Sequence, residues 1–220
     1  SITGSFVFSE LMKNSSWLNY GKLRGGWAQA GNATTPYQLE DYADVTNPFQ
    51  GNPRYSNPDQ ANNKYLVPEL KTTKEIGLEL SLFNRRVGID ASYYDVITED
   101  LITPVETFTS TGYTSFIKNA GKLQNKGFET TINVNPIRTQ DFSWDVTWNF
   151  AKNENKLLEL SGNAQSLLIQ NAPFQVSLYA IVGQPYGQIY GTDFTYDDKG
   201  NKVIGDDGLY VASGQKSLGS

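Results

Sequence analysis

Residues 142–150 read Phe-Ser-Trp-Asp-Val-Thr-Trp-Asn-Phe. Phe142, Trp144, Val146, Trp148 and Phe150 alternate without a break with Ser143, Asp145, Thr147 and Asn149. A pleated strand turns successive side chains to opposite sides, so this stretch has one apolar face and one polar face. The pattern recurs on working back along the chain. Across Pro136–Asp141, Phe128, Thr130, Ile132 and Val134 interleave with Glu129, Thr131, Asn133 and Asn135. Further back, Ile76, Leu78, Leu80 and Leu82 form one set and Val87, Ile89, Ala91 and Tyr93 another, joined at Asn84-Arg85-Arg86. Four long strands therefore organise Thr72–Lys152. Tyr20–Gly31 predicts one more, with Leu23, Gly25 and Trp27 opposite Lys22, Arg24 and Gly26, and Ile2, Gly4, Phe6 and Phe8 suggest the tail of another. The fold class is all-β.

The composition narrows the function. Net charge is −5 with no basic cluster, which argues against a nucleic-acid surface. There is no Cys, so thiolate, disulfide and zinc-ribbon chemistry are excluded. There is no His, which removes a Ser-His-Asp triad and the commonest transition-metal ligand. No apolar run approaches the ~20 residues of a membrane-spanning helix, but a barrel strand needs only ~9–11 alternating residues. The opening Ser-Ile-Thr-Gly-Ser has neither an initiator Met nor a charged-then-apolar leader, so an internal piece of a longer protein is expected.

The connections alternate in length. They run medium at Glu10–Asn19, long at Asn32–Lys71, short at Asn84–Arg86, long at Leu101–Phe116, short at Pro136–Asp141 and long again at Glu154–Pro173. Glu10–Asn19 suits a compact turn with one helical turn in it. Antiparallel neighbours place alternate connections at opposite ends of a sheet. One end thus collects the tight turns and the other the large loops, as in an antiparallel up-and-down transmembrane β-barrel with short periplasmic turns and long extracellular loops. Asn32–Lys71 contains Tyr37, Tyr42, Phe49 and Tyr55 among prolines that limit its flexibility. Long loops of this kind are commonly functional, and these four aromatics are the candidate substrate-contact residues.

Several motifs resemble one family. Leu23-Arg24-Gly25-Gly26-Trp27-Ala28-Gln29-Ala30-Gly31-Asn32 is similar to a segment of SusC/RagA-type TonB-dependent outer-membrane transporters. So are Pro68-Glu69-Leu70-Lys71 through Glu79, Tyr93-Tyr94 with Asp100-Leu101-Ile102, and Asn119-Ala120-Gly121 with Asn125-Lys126-Gly127-Phe128-Glu129. Trp144 through Asn153 and Gly183-Gln184-Pro185-Tyr186-Gly187-Gln188-Ile189-Tyr190-Gly191 continue the match in order. The resemblance implies a segment of a barrel of about 22 strands. Residues 1–220 would then be a partial barrel domain, with the plug domain and the final strands absent. It also implies active import of a large nutrient, an oligosaccharide or oligopeptide, across the outer membrane of a Gram-negative bacterium. A SusD-like surface lipoprotein would cap the mouth, and the TonB complex would act through N-terminal parts not seen here. Lys22, Arg24, Glu79, Asp90, Glu129 and Asp145 would face the lumen, and the apolar sets the outer-membrane lipid. No cofactor, metal or enzymatic activity is implied.

Two other readings are weighed. A soluble extracellular glycan-binding β-sandwich would use the loop aromatics as a stacking platform and requires an apolar core between two sheets. A glycosidase needs a carboxylate pair such as Glu79 and Asp90, one of them with a raised pKa in a pocket. Nothing in the spacing demands that, and the enzyme reading is rejected. Asp197-Asp198-Lys199-Gly200-Asn201 and Asp206-Asp207-Gly208 lack the alternation of a calcium loop and read as turns.

Overall fold

The computed structural model describes residues 1–12, 16–173 and 175–219. In chain order the strands are β1 (Ile2–Val7), β2 (Leu18–Asn32), β3 (Asp44–Phe49), β4 (Asn52–Ser56), β5 (Gln60–Ala61), β6 (Glu69–Leu82), β7 (Val87–Glu99) and β8 (Ile102–Glu106). They continue as β9 (Ser115–Asn119), β10 (Gly121–Arg138), β11 (Ser143–Leu160), β12 (Ser166–Ala172), β13 (Val176–Ile181), β14 (Gln188–Phe194) and β15 (Ala212–Gly219). Only short 3-10 turns interrupt them, at Phe8–Met12, Thr109–Thr111 and Ser161–Asn163 among the described residues. No helix there is long and apolar enough to cross a membrane, which says nothing about crossing by strands. The chain divides into two compact units.

The first unit comprises Ser1–Asn32, Leu70–Glu99 and Gln124–Asn155. Its strands form one sheet in the order β1-β2-β6-β7-β10-β11. The register matches like with like. In β6 and β7, Ile76 lies opposite Tyr93, Leu78 opposite Ala91, Leu80 opposite Ile89 and Leu82 opposite Val87. Directly opposed residues share a face, so these pairs make one continuous apolar surface. Phe6 opposite Leu23 and Ile2 opposite Trp27 extend the pattern to β1 and β2. Among the described residues of this unit, no second layer covers this surface. Trp148 is 53% exposed and Val146 39%, and Leu18 is the one buried hydrophobic among the described residues of the unit. A sandwich would bury one face of every strand, so the core required by the soluble glycan-binding alternative is missing from this sheet.

The tight turns of this unit gather together. Phe83, Asn84 and Arg85 all take left-handed backbone angles, with φ of 52°, 56° and 64°, which closes β6 onto β7 in minimal length. The Phe83 amide donates to the Trp17 carbonyl at 2.8 Å, and the Asn135 amide donates to the Arg86 carbonyl at 2.7 Å. These bonds tie the lead into β2, the β6–β7 turn and the far end of β10 to one end of the sheet. The long excursions leave from the opposite ends of the same strands. Of the expected turn at Glu10–Asn19, the 3-10 segment begins earlier, at Phe8, and residues 13–15 lie outside the described residues.

The second unit comprises Ala33–Glu69, Asp100–Leu123 and Lys156–Ser220. The supposed loops contain structure of their own. β3 and β4 form a hairpin, β5, β9 and β8 form a small sheet, and β12-β13-β14-β15 form another. The β5–β9 pair is parallel, a departure from the expected antiparallel scheme, through Gln60 opposite Ser115 and Ala61 opposite Phe116. Glu154–Pro173 is not the polar excursion expected from sequence. β11 runs on to Leu160, and Leu157 is fully buried with Leu160 and Ala180, packed by Leu167, Ile169, Val182 and Tyr186. The run Asn-Glu-Asn-Lys before Leu157 imitates a loop because its polar side chains stand on an extended strand. The strand expected around Phe128–Val134 begins earlier, at Gly121, as β10, with β9 ending just before Ala120, and β15 follows the acidic turns.

Candidate functional site

The polar face of the first unit is a cross-strand network. The Arg24 guanidinium makes two parallel bonds to Asp90, at 3.0 and 2.8 Å, and approaches Glu75 at 3.9 Å. The Lys22 ammonium donates to Glu79 at 3.3 Å. Glu79 and Asp90 therefore do stand opposite each other, but each is neutralised by a base, which is unlike an acid–base pair. Thr131 bonds Asn149 and Thr147 bonds Asn133, both at 2.8 Å, while the Asn135 amide donates to Asp145 at 2.6 Å. Glycines leave the space for the large groups. A Cβ on Gly77 would run into the Arg24 side chain, and one on Gly127 would lie 2.5 Å from the Tyr94 hydroxyl. That hydroxyl donates to Asn153 at 3.2 Å.

The apolar face ends in a polar belt. Two residues beyond Trp27, Ile76, Tyr93, Phe128 and Phe150 on the same face come Gln29, Lys74, Asp95, Lys126 and Lys152. Gln29 donates to Thr72 at 3.3 Å, Gln124 to Asp95 at 2.8 Å, and Lys126 pairs with Glu154 at 3.7 Å. Just inside this belt the aromatic rings touch, with Phe128 and Phe150 centroids 6.4 Å apart and Trp148 stacked on Phe150 at 5.8 Å.

In the second unit, motifs distant in sequence converge on Asn119. Its amide donates to the Val67 carbonyl at 2.9 Å and the Asp100 carbonyl at 2.7 Å, and its oxygen accepts the Val67 amide at 3.0 Å. Ala120 is buried and donates to Leu101, while Leu101 donates to Gly121. A Cβ on Gly121 would meet the Glu159 carbonyl at 2.9 Å. The Glu69 carboxylate accepts the Ile102 amide at 2.9 Å. Gly183-Gln184 joins through Leu157, whose amide donates to Gln184 and whose carbonyl accepts from Gly183. Asn119→Ala removes three bonds from this node and is expected to cost about 1–3 kcal/mol. Accelerated proteolysis between residues 100 and 123 would report it.

The four aromatics chosen from sequence do not form one platform. Tyr37 and Tyr42 line a single open hollow of about 690 Å³ with Pro36, Leu39, Glu40 and Asp41. Phe49 and Tyr55 sit instead on the β3–β4 hairpin, where Tyr55 pairs with Val45 and Phe49 with Asn52, and neither lines the hollow. All four are exposed. Tyr37 is left-handed, with φ 68°, an uncommon state for a bulky residue. The loop is held there by Asn62, which the sequence reading passed over. The Asn62 side chain donates to the Tyr37 carbonyl at 3.2 Å and the Glu40 carbonyl at 2.8 Å, and its amide donates to Asp41 at 2.9 Å.

The acidic turns are internally satisfied. One Asp197 oxygen accepts the Lys199 and Asn201 amides at 2.9 and 2.8 Å, and Asp207 accepts Leu209 at 3.0 Å. The Asn201 bonds hold the Asp197 carboxyl below the usual carboxylate range. No cluster with metal-binding spacing occurs among the described residues.

Comparisons with known proteins agree with this architecture. A family model described as TonB dependent receptor-like, β-barrel, matches residues 13–217. TonB-dependent receptor P26 of Formosa agariphila is 30% identical over 215 residues, covering 95% of this chain and 22% of its own length. TonB-dependent receptor SusC of Bacteroides thetaiotaomicron is 32% identical over 166 residues, covering 70% of this chain and 16% of its own length. A structure of the RagAB peptide transporter superposes with a TM-score of 0.80 at 19% identity, over 99% of this chain and 25% of that one. The chain thus spans about a fifth of the curated relatives it matches. With its six-stranded antiparallel sheet, like-with-like register and segregated turns, this chain belongs to the β-barrel part of the TonB-dependent receptor family.

Proposed function

We propose that this chain is barrel wall and loop structure of an outer-membrane TonB-dependent transporter that imports a large nutrient, an oligosaccharide or oligopeptide, with a SusD-like lipoprotein and the TonB complex as partners. The observation that carries the reading is the exposed apolar face of a single-layered sheet. From Phe142 to Phe150 the strand rises about 26 Å, which a tilt of about 40° reduces to roughly 20 Å, near the height of a barrel's lipid-facing band. The aromatic rings inside the polar belt suit the membrane interface. The Arg24–Asp90 and Lys22–Glu79 face then lines the lumen. Residues 1–220 act as a partial barrel domain, and Tyr37, Tyr42, Phe49 and Tyr55 are proposed substrate contacts, with Tyr37 and Tyr42 acting together.

The test is fractionation of the full-length parent, followed by uptake assays with and without TonB. Outer-membrane location and TonB-dependent uptake are expected, and a soluble parent would overturn the reading. Alanine at both Tyr37 and Tyr42 is expected to lower uptake about tenfold, equivalent to about 1.4 kcal/mol. Unchanged uptake at normal surface expression would remove both from the site.

A further inference from the structure

We propose that the hollow between Pro36 and Tyr42 takes a cationic side chain, lysine or arginine, of an oligopeptide. This rests on the nutrient-import reading and narrows its substrate class. Two tyrosines, Leu39 and Pro36 supply ring and apolar surface, and Glu40 and Asp41 supply negative charge without any base in the lining. Among the described residues the Glu40 carboxylate has no hydrogen bond or ion pair, and only one Asp41 oxygen has a bond, that to Asn62. Lys64 does not line the hollow, and its ammonium lies 5.0 Å from the centre of the Tyr65 ring. The site therefore brings carboxylates without a basic partner together with two tyrosines, a combination that attracts a cation by charge and by the ring quadrupole. The stem of a lysine or arginine would lie along Leu39 and Pro36 with its charged head toward Glu40.

Hydrogen bonds within the loop hold its shape. Asn62 clasps both Tyr37 and Glu40 by their carbonyls, and the Asn63 amide donates to Gln38 at 3.1 Å. The clasp keeps Tyr37 left-handed with 85% of its surface exposed. Such order lowers the conformational cost of binding. The volume, about 690 Å³, is within the usual range for a small-ligand cleft. A neutral glycan would stack on the tyrosines and donate hydroxyls to Glu40, but would form no ion pair there. Salt separates the two ligands, because exposed charge pairs weaken as ionic strength rises.

The experiment uses the full-length protein in native outer membranes. The probes are a fluorescent octapeptide of alternating lysine and phenylalanine, its glutamate–phenylalanine counterpart, and maltoheptaose. The lysine peptide is expected to bind at least tenfold tighter than the other two, and to weaken with added salt. Glu40→Gln should lower its affinity about fivefold and reduce that salt dependence. Tyr37→Gly, which relieves the backbone while deleting the ring, should lower it about tenfold. Equal binding of the glutamate peptide, tighter binding of maltoheptaose, or indifference to Glu40→Gln at normal surface expression would overturn the proposal. Nutrient uptake in a strain without TonB reports the import reading separately. If that uptake is TonB-dependent while the lysine peptide fails to bind, the cationic assignment falls and the transporter reading stands.

Discussion

Val146→Arg is expected to destabilise the membrane-embedded protein by about 2–4 kcal/mol and to deplete it from the outer membrane. Val146 sits midway along the apolar set from Phe142 to Phe150 and is 39% exposed in this chain. In water an arginine at such a site would be nearly neutral, because it could reach solvent without disturbing any packing. In lipid its charge must be desolvated or drawn to the interface. The neighbouring substitution Thr147→Arg provides the contrast. It projects from the polar face, loses the 2.8 Å bond to Asn133, and should cost only about 1 kcal/mol. Surface abundance and heat-modifiability on gels would compare the two, and equal loss would argue against lipid contact.

The second large effect is expected at Gly127. In Gly127→Ala the new Cβ would stand 2.8 Å from the Lys152 carbonyl and 2.6 Å from the Tyr94 ring. Tyr94 can swing aside at the expense of its bond to Asn153, but the Lys152 carbonyl belongs to the neighbouring strand. The β10–β11 ladder must then part, and about 2–4 kcal/mol of destabilisation is expected from overpacking together with the lost bond. Adding Tyr94→Ala should restore only part of it, because the backbone contact remains. At Gly77 the three atoms nearest the new Cβ all belong to the Arg24 side chain. Gly77→Ala should therefore be milder, about 1 kcal/mol, and should cost nothing further in an Arg24→Ala background. Urea unfolding of the detergent-solubilised parent would measure each variant.

The legibility of the chain follows the reach of its interactions. The first unit was readable because period-two alternation is a local signal, each strand sorting its apolar and polar side chains onto opposite faces. Lys22, Arg24, Glu79 and Asp90 were assigned to one face by the same rule, although their pairing across strands was not. The second unit was much less readable. Leu157-Leu158-Glu159-Leu160 has no clean period, and its burial depends on Ala180 and Tyr186 far along the chain. The Asn119 node was visible as a motif, but its physical content is main-chain bonding to Val67 and Asp100. Composition singled out Tyr37 and Tyr42, whereas Asn62, which shapes their loop, leaves no trace in any periodicity.

The matching of rungs between β6 and β7 also constrains how such a chain can change over generations. One residue inserted between Ile76 and Leu82 would exchange the two sides of everything beyond it, setting Glu79 where Leu78 or Leu80 belongs. Length in the wall can therefore drift only by even steps. Residues 33–69 carry no such parity, so lineages can lengthen, shorten or replace that excursion while inheriting the wall intact. Sequence change would then accumulate in one part of the gene, against a nearly fixed period in the other.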